Sequence, residues 1–234
     1  MSIEVYPVVH VRNPDQAAEQ TEAAFSTDAD GVYLIRHSDE PSTEKILLES
    51  YATVRELYPE RFIGINILGS PSAADSLVTV HNKIYSEGIV LPSGLWCDDA
   101  IPDAELFPKV IDTYPHLNNI RYLGGVAFKY TPTYTDDPRL AAKLAERLAP
   151  FVDVVTTSGP GTGHSASLEK IKAMKQAIGE KKLAVASGIS VANIGDFDGY
   201  VAQTLVASSV ETQPYSGVFD IKLLRELVDS AHQS

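Results

Sequence analysis

The 234-residue chain is 44% hydrophobic and contains no low-complexity tract, so it can bury a sizeable core and is not expected to be disordered. Its formal net charge of −12, without any run of lysine and arginine, excludes a general nucleic-acid binder, because such proteins must neutralise phosphates. No segment approaches the roughly 18 consecutive apolar residues of a membrane-spanning helix, so no membrane association is expected.

Eight short apolar runs, rich in valine, isoleucine and tyrosine, alternate with longer segments along the chain. Continuous runs of this kind are typical of parallel strands that are buried on both faces. The predicted strands are residues 5–11, 31–35, 62–68, 89–91 together with 94–97, 122–128, 152–155, 183–186 and 200–202.

The segments between these runs carry the start and stop signals of helices. Two of them begin with an N-cap residue followed by proline, which suits the first turn of a helix, at Asn13 and Asp137. Further helices are predicted after Ser42, around residues 104–113, from Ser167 up to Gly179, and after Asp220.

Eight strand–helix units in 234 residues predict one domain over residues 1–234, folded as a single (β/α)8 barrel of the TIM type. The alternative is an open, doubly wound sheet. That fold calls for a glycine-rich turn after the first strand, whereas this turn reads HVRNP (residues 10–14). The barrel is therefore the predicted fold.

Catalytic residues of such barrels collect at the carboxyl ends of the strands. By this rule the catalytic candidates are Asp98 and Asp99 after strand 4, Lys129 after strand 5, and His164 in the loop after strand 6. The predicted ligand-binding residues are His10, His37, Asn66, Ser158, Gly159, Gly161, Thr162, Gly163, Ser187, Gly188, Gln203 and Thr204. No cofactor is predicted. Asp98 and Asp99 leave metal catalysis open, but no spacing of histidine and acidic residues forms a recognisable ligand set, so no metal site is predicted.

Several of these candidates have a structural interpretation as well. His10 can be an interior histidine of the barrel, and Asp98 and Asp99 can cap the fourth helix, since acids suit helix N-termini. Lys129 is harder to explain in this way. A lysine directly after Gly-Gly-Val-Ala-Phe must reach the mouth of the barrel or pair with a buried acid.

The loop after strand 6, TTSGPGTGHSASL (residues 156–168), is crowded with glycines and hydroxyl residues. Its glycines would let backbone N–H groups turn inward, and the following helix would present its positive end there. Ser187 and Gly188 form a second short turn after strand 7. The two turns are predicted to hold one anion between them, with a flexible connector as the alternative.

The C-terminal half resembles the BtpA family, specifically over residues 150–195. The resemblance rests on VVTTSGPGTG (154–163), SLEKIK (167–172) and VASGISVANI (185–194). It implies a phosphate-binding type of β/α barrel, with a nucleosidase or sugar-metabolism role or a role in photosystem I biogenesis. One departure is Gln203, which stands where the family pattern has a glycine after strand 8. Phosphate would then be held differently, or the ligand would carry none.

The leading functional hypothesis is an enzyme that acts on a nucleoside, nucleotide or sugar-phosphate-like molecule by N-glycosidic bond cleavage or transfer. A carboxylate would stabilise positive charge on the sugar, while His164 would protonate the leaving base. One alternative is an aldolase or isomerase that uses Lys129 as a Schiff-base nucleophile. The other is a non-catalytic ligand sensor or assembly factor of the BtpA type.

The expected partners are a small anionic or sugar-containing ligand and further copies of the chain in a homo-oligomer. The single cysteine, Cys97, excludes an intrachain disulfide and favours a reducing compartment. The N-terminal sequence MSIEVYPVVHV has an acid where a signal peptide carries a base. A cytoplasmic location is therefore expected.

Overall fold

The computed structural model describes residues 2–36, 41–68, 73–213 and 215–233. Its eight strands are all parallel, and each pairs with its neighbours in sequence until the last pairs with the first. The predicted (β/α)8 barrel is confirmed by this closed sheet. The strands are β1 (Glu4–Val11), β2 (Val32–Arg36), β3 (Ile63–Asn66), β4 (Gly94–Cys97), β5 (Arg121–Gly125), β6 (Val154–Ser158), β7 (Lys182–Ala186) and β8 (Gln203–Val206).

Seven α-helices lie in the described parts of the chain. The predicted N-caps at Asn13, Asp137, Ser167 and Asp220 are present, since each side chain accepts a hydrogen bond from a backbone N–H of the following turn. None of these helices is long and apolar enough to cross a lipid bilayer. The helices are α1 (Pro14–Phe25), α2 (Pro41–Leu57), α3 (Ala73–Val80), α4 (Phe107–Thr113), α5 (Pro138–Leu148), α6 (Leu168–Ile178) and α7 (Ile221–His232).

The connection from β7 to β8 forms a short 3-10 turn, Ile194–Phe197, where the pattern of eight strand–helix units predicted an α-helix. The sequence explains the difference. Residues 189–200 read ISVANIGDFDGY, and glycine is a poor helix former. Gly199 has a φ of +76°, which ends any helical path before β8.

The eighth strand begins three residues later than predicted. Residues 200–202 precede it, and Gln203 is its first residue, paired with Glu4 at the amino end of β1. The Gln203 amide donates to the Glu4 carboxylate, which also pairs with Arg121 and Lys182. Gln203 therefore lies at the amino end of the barrel, opposite to the mouth. The prediction had placed it at the mouth because the predicted strand ended too early.

Aromatic side chains fill the barrel interior near the amino ends of the strands. The rings of Tyr6, Tyr33 and Phe62 lie with their centroids 5.0 to 5.7 Å apart, and Arg121 stacks 4.9 Å from the Phe62 ring. Because side chains alternate along each strand, the other positions pack outward against the helices, in the larger of the two cores. The amino end of the barrel is therefore closed, and the open space lies at the carboxyl end of the strands.

Candidate functional site

A cavity of about 200 Å³ opens at the carboxyl end of the barrel. Part of its wall is apolar and comes from side chains that point to the barrel axis: Val8, Ile35, Trp96, Phe128 and Leu205. The polar part comes from Asp98, Lys129, Thr162, Ser187 and Gly188, and Ser208 and Ser209 follow β8 at the same mouth. A mostly apolar cavity with a few convergent polar groups is the usual form of a small-molecule site.

Asp98 is the acidic group of this cavity. It directly follows β4, and its Oδ1 accepts a hydrogen bond of 3.0 Å from the side-chain amide of Asn66, the last residue of β3. Burial raises the pKa of Asp98 to about 6, although the Asn66 hydrogen bond and the charge of Lys129 both oppose this rise. A carboxyl group with such a pKa can both accept and donate a proton near neutral pH, as a general acid–base must.

Lys129 supplies a positive charge to the cavity. Its Nζ donates to Ser187 Oγ at 2.6 Å and to Thr162 Oγ1 at 3.0 Å. Its backbone N–H donates to Ser158 Oγ at 2.7 Å. Burial lowers the pKa of Lys129, whereas the negative charge of Asp98 opposes this change. Lys129 was predicted to extend toward the mouth of the barrel, and in the structure its side chain lines the cavity there.

The loop after β6 makes close backbone contact with the loop after β7 and also with itself, in each case at a glycine. A Cβ at Gly188, which has a φ of +69°, would lie 2.1 Å from the backbone nitrogen of Ser165. A Cβ at Gly159 would lie 2.2 Å from the carbonyl oxygen of His164. These two glycines therefore permit close backbone contact. Of the loop's glycines, Gly163 lines the cavity, while Gly159 and Gly161 do not.

Three residues at the carboxyl ends of β5 and β7 have left-handed backbones. They are Ala127, Tyr130 and Ser187, with φ of +48°, +62° and +75°. Such conformations cost non-glycine residues about 1–3 kcal/mol and tend to cluster at functional sites. The Tyr130 ring is 79% exposed, and its hydroxyl accepts a 3.2 Å hydrogen bond from the Thr162 N–H. Backbone strain is thus concentrated around Lys129.

Several candidate residues lie outside the cavity. Asp99 accepts a hydrogen bond from the Thr133 hydroxyl at 3.2 Å, because successive side chains at a strand end point in opposite directions. His164 is exposed, and its Nδ1 lies 3.2 Å from the Thr162 carbonyl oxygen. Of the four catalytic candidates, Asp98 and Lys129 line the cavity, whereas Asp99 and His164 do not.

The remaining binding candidates divide in a similar way. His10 lines the cavity, and Ser158 is buried beneath Lys129. Thr204 lies in β8 and donates to the Val185 carbonyl at 3.2 Å, away from the cavity, as expected once the strand boundary is corrected. His37 lies outside the described residues.

The cavity walls contain residues that were not predicted as ligand contacts, namely Trp96, Phe128 and Ile189. The sequence could have indicated these residues, because alternate apolar positions near the strand ends point to the barrel axis. Cys97 is buried, and burial raises the pKa of its thiol to about 12, which makes it a poor nucleophile. The described residues contain no group of three or more His, Cys, Asp or Glu placed to hold a metal ion.

Comparisons with family models and with curated proteins gave no match. Solved structures do match. Monomers derived from the dimeric phosphoribosylanthranilate isomerase of Thermotoga maritima align with a TM-score of 0.68 at 14% identity, over 99% of this chain and 100% of that chain. The N-(5'-phosphoribosyl)anthranilate isomerase from Pyrococcus furiosus aligns with a TM-score of 0.66 at 18% identity, over 99% and 100%.

A third match is (S)-3-O-geranylgeranylglyceryl phosphate synthase from Thermoplasma acidophilum, in complex with sn-glycerol-1-phosphate. It aligns with a TM-score of 0.66 at 11% identity, over 100% of this chain and 94% of that chain. This chain shares their barrel fold. At such low identities the likeness extends to the fold and says nothing of activity.

Proposed function

We propose that the protein is an enzyme that binds a small, anionic, sugar-like substrate in the mouth cavity and cleaves or transfers its N-glycosidic bond. One observation carries the proposal. Asp98 and Lys129, from the ends of two consecutive strands, line one cavity, and Asn66 at the end of the preceding strand donates a hydrogen bond to Asp98. Burial raises the pKa of Asp98 there to about 6. Perturbed carboxyl groups in a cleft are typical of catalytic sites.

The polar part of the cavity supports an anionic substrate. Lys129 contributes a cation, Thr162 and Ser187 contribute hydroxyls, and Gly188 lies in the loop after β7. Loops 7 and 8 hold phosphate in many barrels of this kind. Two matched barrels are described with phosphorylated ligands. A further phosphoribosyl anthranilate isomerase contains reduced 1-(o-carboxyphenylamino)-1-deoxyribulose 5-phosphate, and the geranylgeranylglyceryl phosphate synthase contains sn-glycerol-1-phosphate.

Asp98 would act on the sugar carbon. With a pKa near 6 it is mostly ionised at pH 7, so its carboxylate can stabilise positive charge on the sugar and take a proton from the attacking water. Asn66 fixes the orientation of the carboxyl group through its hydrogen bond to Oδ1. Asp99 and His164, which were expected to share this work, do not line the cavity, so the mechanism depends on Asp98 alone. The proton that Asp98 takes from the attacking water would pass to the nitrogen of the leaving base, which departs neutral.

A Schiff-base aldolase or isomerase is the second candidate, because the Lys129 amine lies in a cavity with apolar walls and burial lowers its pKa. A lower pKa gives more of the neutral amine, which attacks a carbonyl group to form the imine. Borohydride reduction in the presence of substrate followed by peptide mass spectrometry distinguishes the candidates. A substrate adduct on Lys129 would replace the glycosidic proposal by this one.

The test of the first proposal is turnover of a panel of nucleosides, nucleotides and N-glycosides of ribose 5-phosphate. We expect Asp98→Asn to lower kcat by about 10²–10⁴, the range for loss of a general acid–base. Lys129→Met should mainly raise KM for phosphorylated substrates. Asp99→Asn, in the neighbouring residue that faces Thr133, is the matched control and should retain activity.

Binding without turnover across this panel would contradict the enzyme and favour the sensor or assembly role that the resemblance to the BtpA family also implies. That resemblance, over residues 150–195, stays a prediction. A homo-oligomer is part of the proposal as well, and analytical ultracentrifugation measures it. The Thermotoga maritima isomerase, whose fold this chain shares, is described as dimeric.

A further inference from the structure

A lysine that takes no part in the cavity is completely buried beside it. Lys170, in the SLEKIK segment of α6, is 0% exposed. Its Nζ donates to the carbonyl oxygens of Ala127 and Ser158, each at 2.8 Å. It also lies 5.2 Å from the centre of the Tyr134 ring, within reach of a cation–π contact. A single ammonium group therefore joins α6 to the ends of two neighbouring strands.

Burying this charge is unfavourable, since a buried ammonium loses its hydration. The ion pairs found among the described residues do not include Lys170, and the charge of Asp136 favours the protonated lysine only from a longer distance. Burial lowers the pKa of Lys170 to about 8. An apolar side chain of similar length would avoid this cost. The presence of a lysine is therefore to be explained by the two carbonyl groups to which it donates hydrogen bonds.

Both carbonyl groups belong to the support of Lys129. Ala127 precedes Lys129 by two residues and has the left-handed φ of +48°. Ser158 accepts the backbone N–H of Lys129 on its hydroxyl at 2.7 Å. Lys170 thus supports the turn that carries Lys129 through two contacts, one with Ala127 after β5 and one with Ser158 at the end of β6.

We propose that Lys170 is a positioning residue, which fixes the carbonyl groups of Ala127 and Ser158 and thereby sets where the Lys129 ammonium stands in the cavity. The inference rests on the proposed function in that Lys129 is taken as the cation that binds the substrate. The left-handed turn at Ala127 would otherwise relax, and Lys129 would lose its alignment with Thr162 and Ser187.

The same helix offers a matched control. Lys175 also donates its Nζ to two backbone carbonyls, those of Gly179 at 2.8 Å and Lys181 at 3.0 Å. Those bonds lie at the other end of α6 and have no connection to Lys129. Lys175→Met therefore removes bonds of the same kind from the same helix and leaves the mouth intact.

The experiment compares the parent with Lys170→Gln, Lys170→Met and Lys175→Met after labelling lysine with 13C at Cε. The Lys129 signal is identified by its loss in Lys129→Met and is titrated with pH. We expect its position and titration midpoint to move in both Lys170 variants and to coincide with the parent in Lys175→Met. The dissociation constant for D-ribose 5-phosphate should rise about tenfold to a hundredfold in the Lys170 variants, the effect of a small misplacement.

An unmoved Lys129 signal in a folded Lys170 variant overturns the proposal. Should neither variant fold, Thr157→Val decides, since the Thr157 hydroxyl donates to the same Ala127 carbonyl at 3.3 Å, and an unchanged Lys129 signal there counts against positioning. If D-ribose 5-phosphate fails to bind the parent protein, the proposed function loses support. The lysine spectra still decide the role of Lys170, so the two failures can be told apart.

Discussion

Replacement of Asp98 by asparagine is expected to stabilise the protein while it removes activity. Burial raises the pKa of Asp98 from its ordinary value of 3.8 to about 6. Each pH unit of that difference corresponds to about 1.4 kcal/mol, so the ionised carboxylate costs the folded protein about 3 kcal/mol at neutral pH. Asparagine keeps the shape of the side chain and can still accept the Asn66 hydrogen bond, but it carries no charge.

The effect has a definite pH dependence. Because the pKa is higher in the folded protein than in the unfolded chain, the folded state binds more protons between about pH 4 and pH 6. The free energy of unfolding of the parent therefore falls as the pH rises through this window. The advantage of Asp98→Asn should be small at pH 4, grow to pH 6 and become constant by about pH 7.

Urea unfolding of both proteins at several pH values measures this difference, and the expected 3 kcal/mol corresponds to a rise in Tm of roughly 6–12 °C for a chain of this size. Asp137→Asn is the control, because Asp137 is an exposed N-cap whose pKa is lowered by backbone N–H groups. It should show a small change of the opposite sign. An Asp98→Asn protein less stable than the parent at pH 7.5, or a difference independent of pH, would refute the reasoning.

Two further predictions concern the surroundings of the cavity. Gly188→Ala should lower both Tm and phosphate affinity in calorimetry, since its methyl would lie 2.1 Å from Ser165 N. Gly161→Ala is the control and should change neither quantity, because its nearest new contact is at 3.5 Å. Equal effects of the two substitutions would contradict this reasoning. The pKa of Lys170 lies at about 8 in the folded protein, below its ordinary 10.5. The parent should therefore gain about 3 kcal/mol of stability from pH 8 to 10.5. Lys170→Met should lack this rise in urea unfolding, and parallel pH curves would count against it.

The sequence was sufficient for the barrel because each strand is a continuous apolar run and four helices begin at clear N-caps. It was insufficient around β8, where residues 200–202 and 205–207 are both short apolar runs. Pairing with β1 selects the second run, and that pairing depends on residues two hundred positions away. The missing helix after β7 has a local cause, the glycines at 195 and 199, and was predictable from composition.

For the site, position at a strand end was enough to select Asp98 and Lys129. Side-chain direction was not, since adjacent residues diverge and Asp99 turns to Thr133. The place of His164 depends on how its loop folds back onto Gly159, a contact that spacing alone does not predict. Lys170 has the opposite difficulty, because a lysine in an amphipathic helix is ordinarily expected at the surface.

The contact between Gly188 and Ser165 has a consequence for how fast a ligand is captured. The two loops are in close backbone contact there, and Lys129 links both of them through Thr162 and Ser187. This side of the mouth is preorganised, so a ligand loses little free energy to loop ordering when it docks there. Association at this wall then requires only side-chain rotation, on a timescale of picoseconds to nanoseconds, and binding is expected to follow a single kinetic phase without a slow gating step.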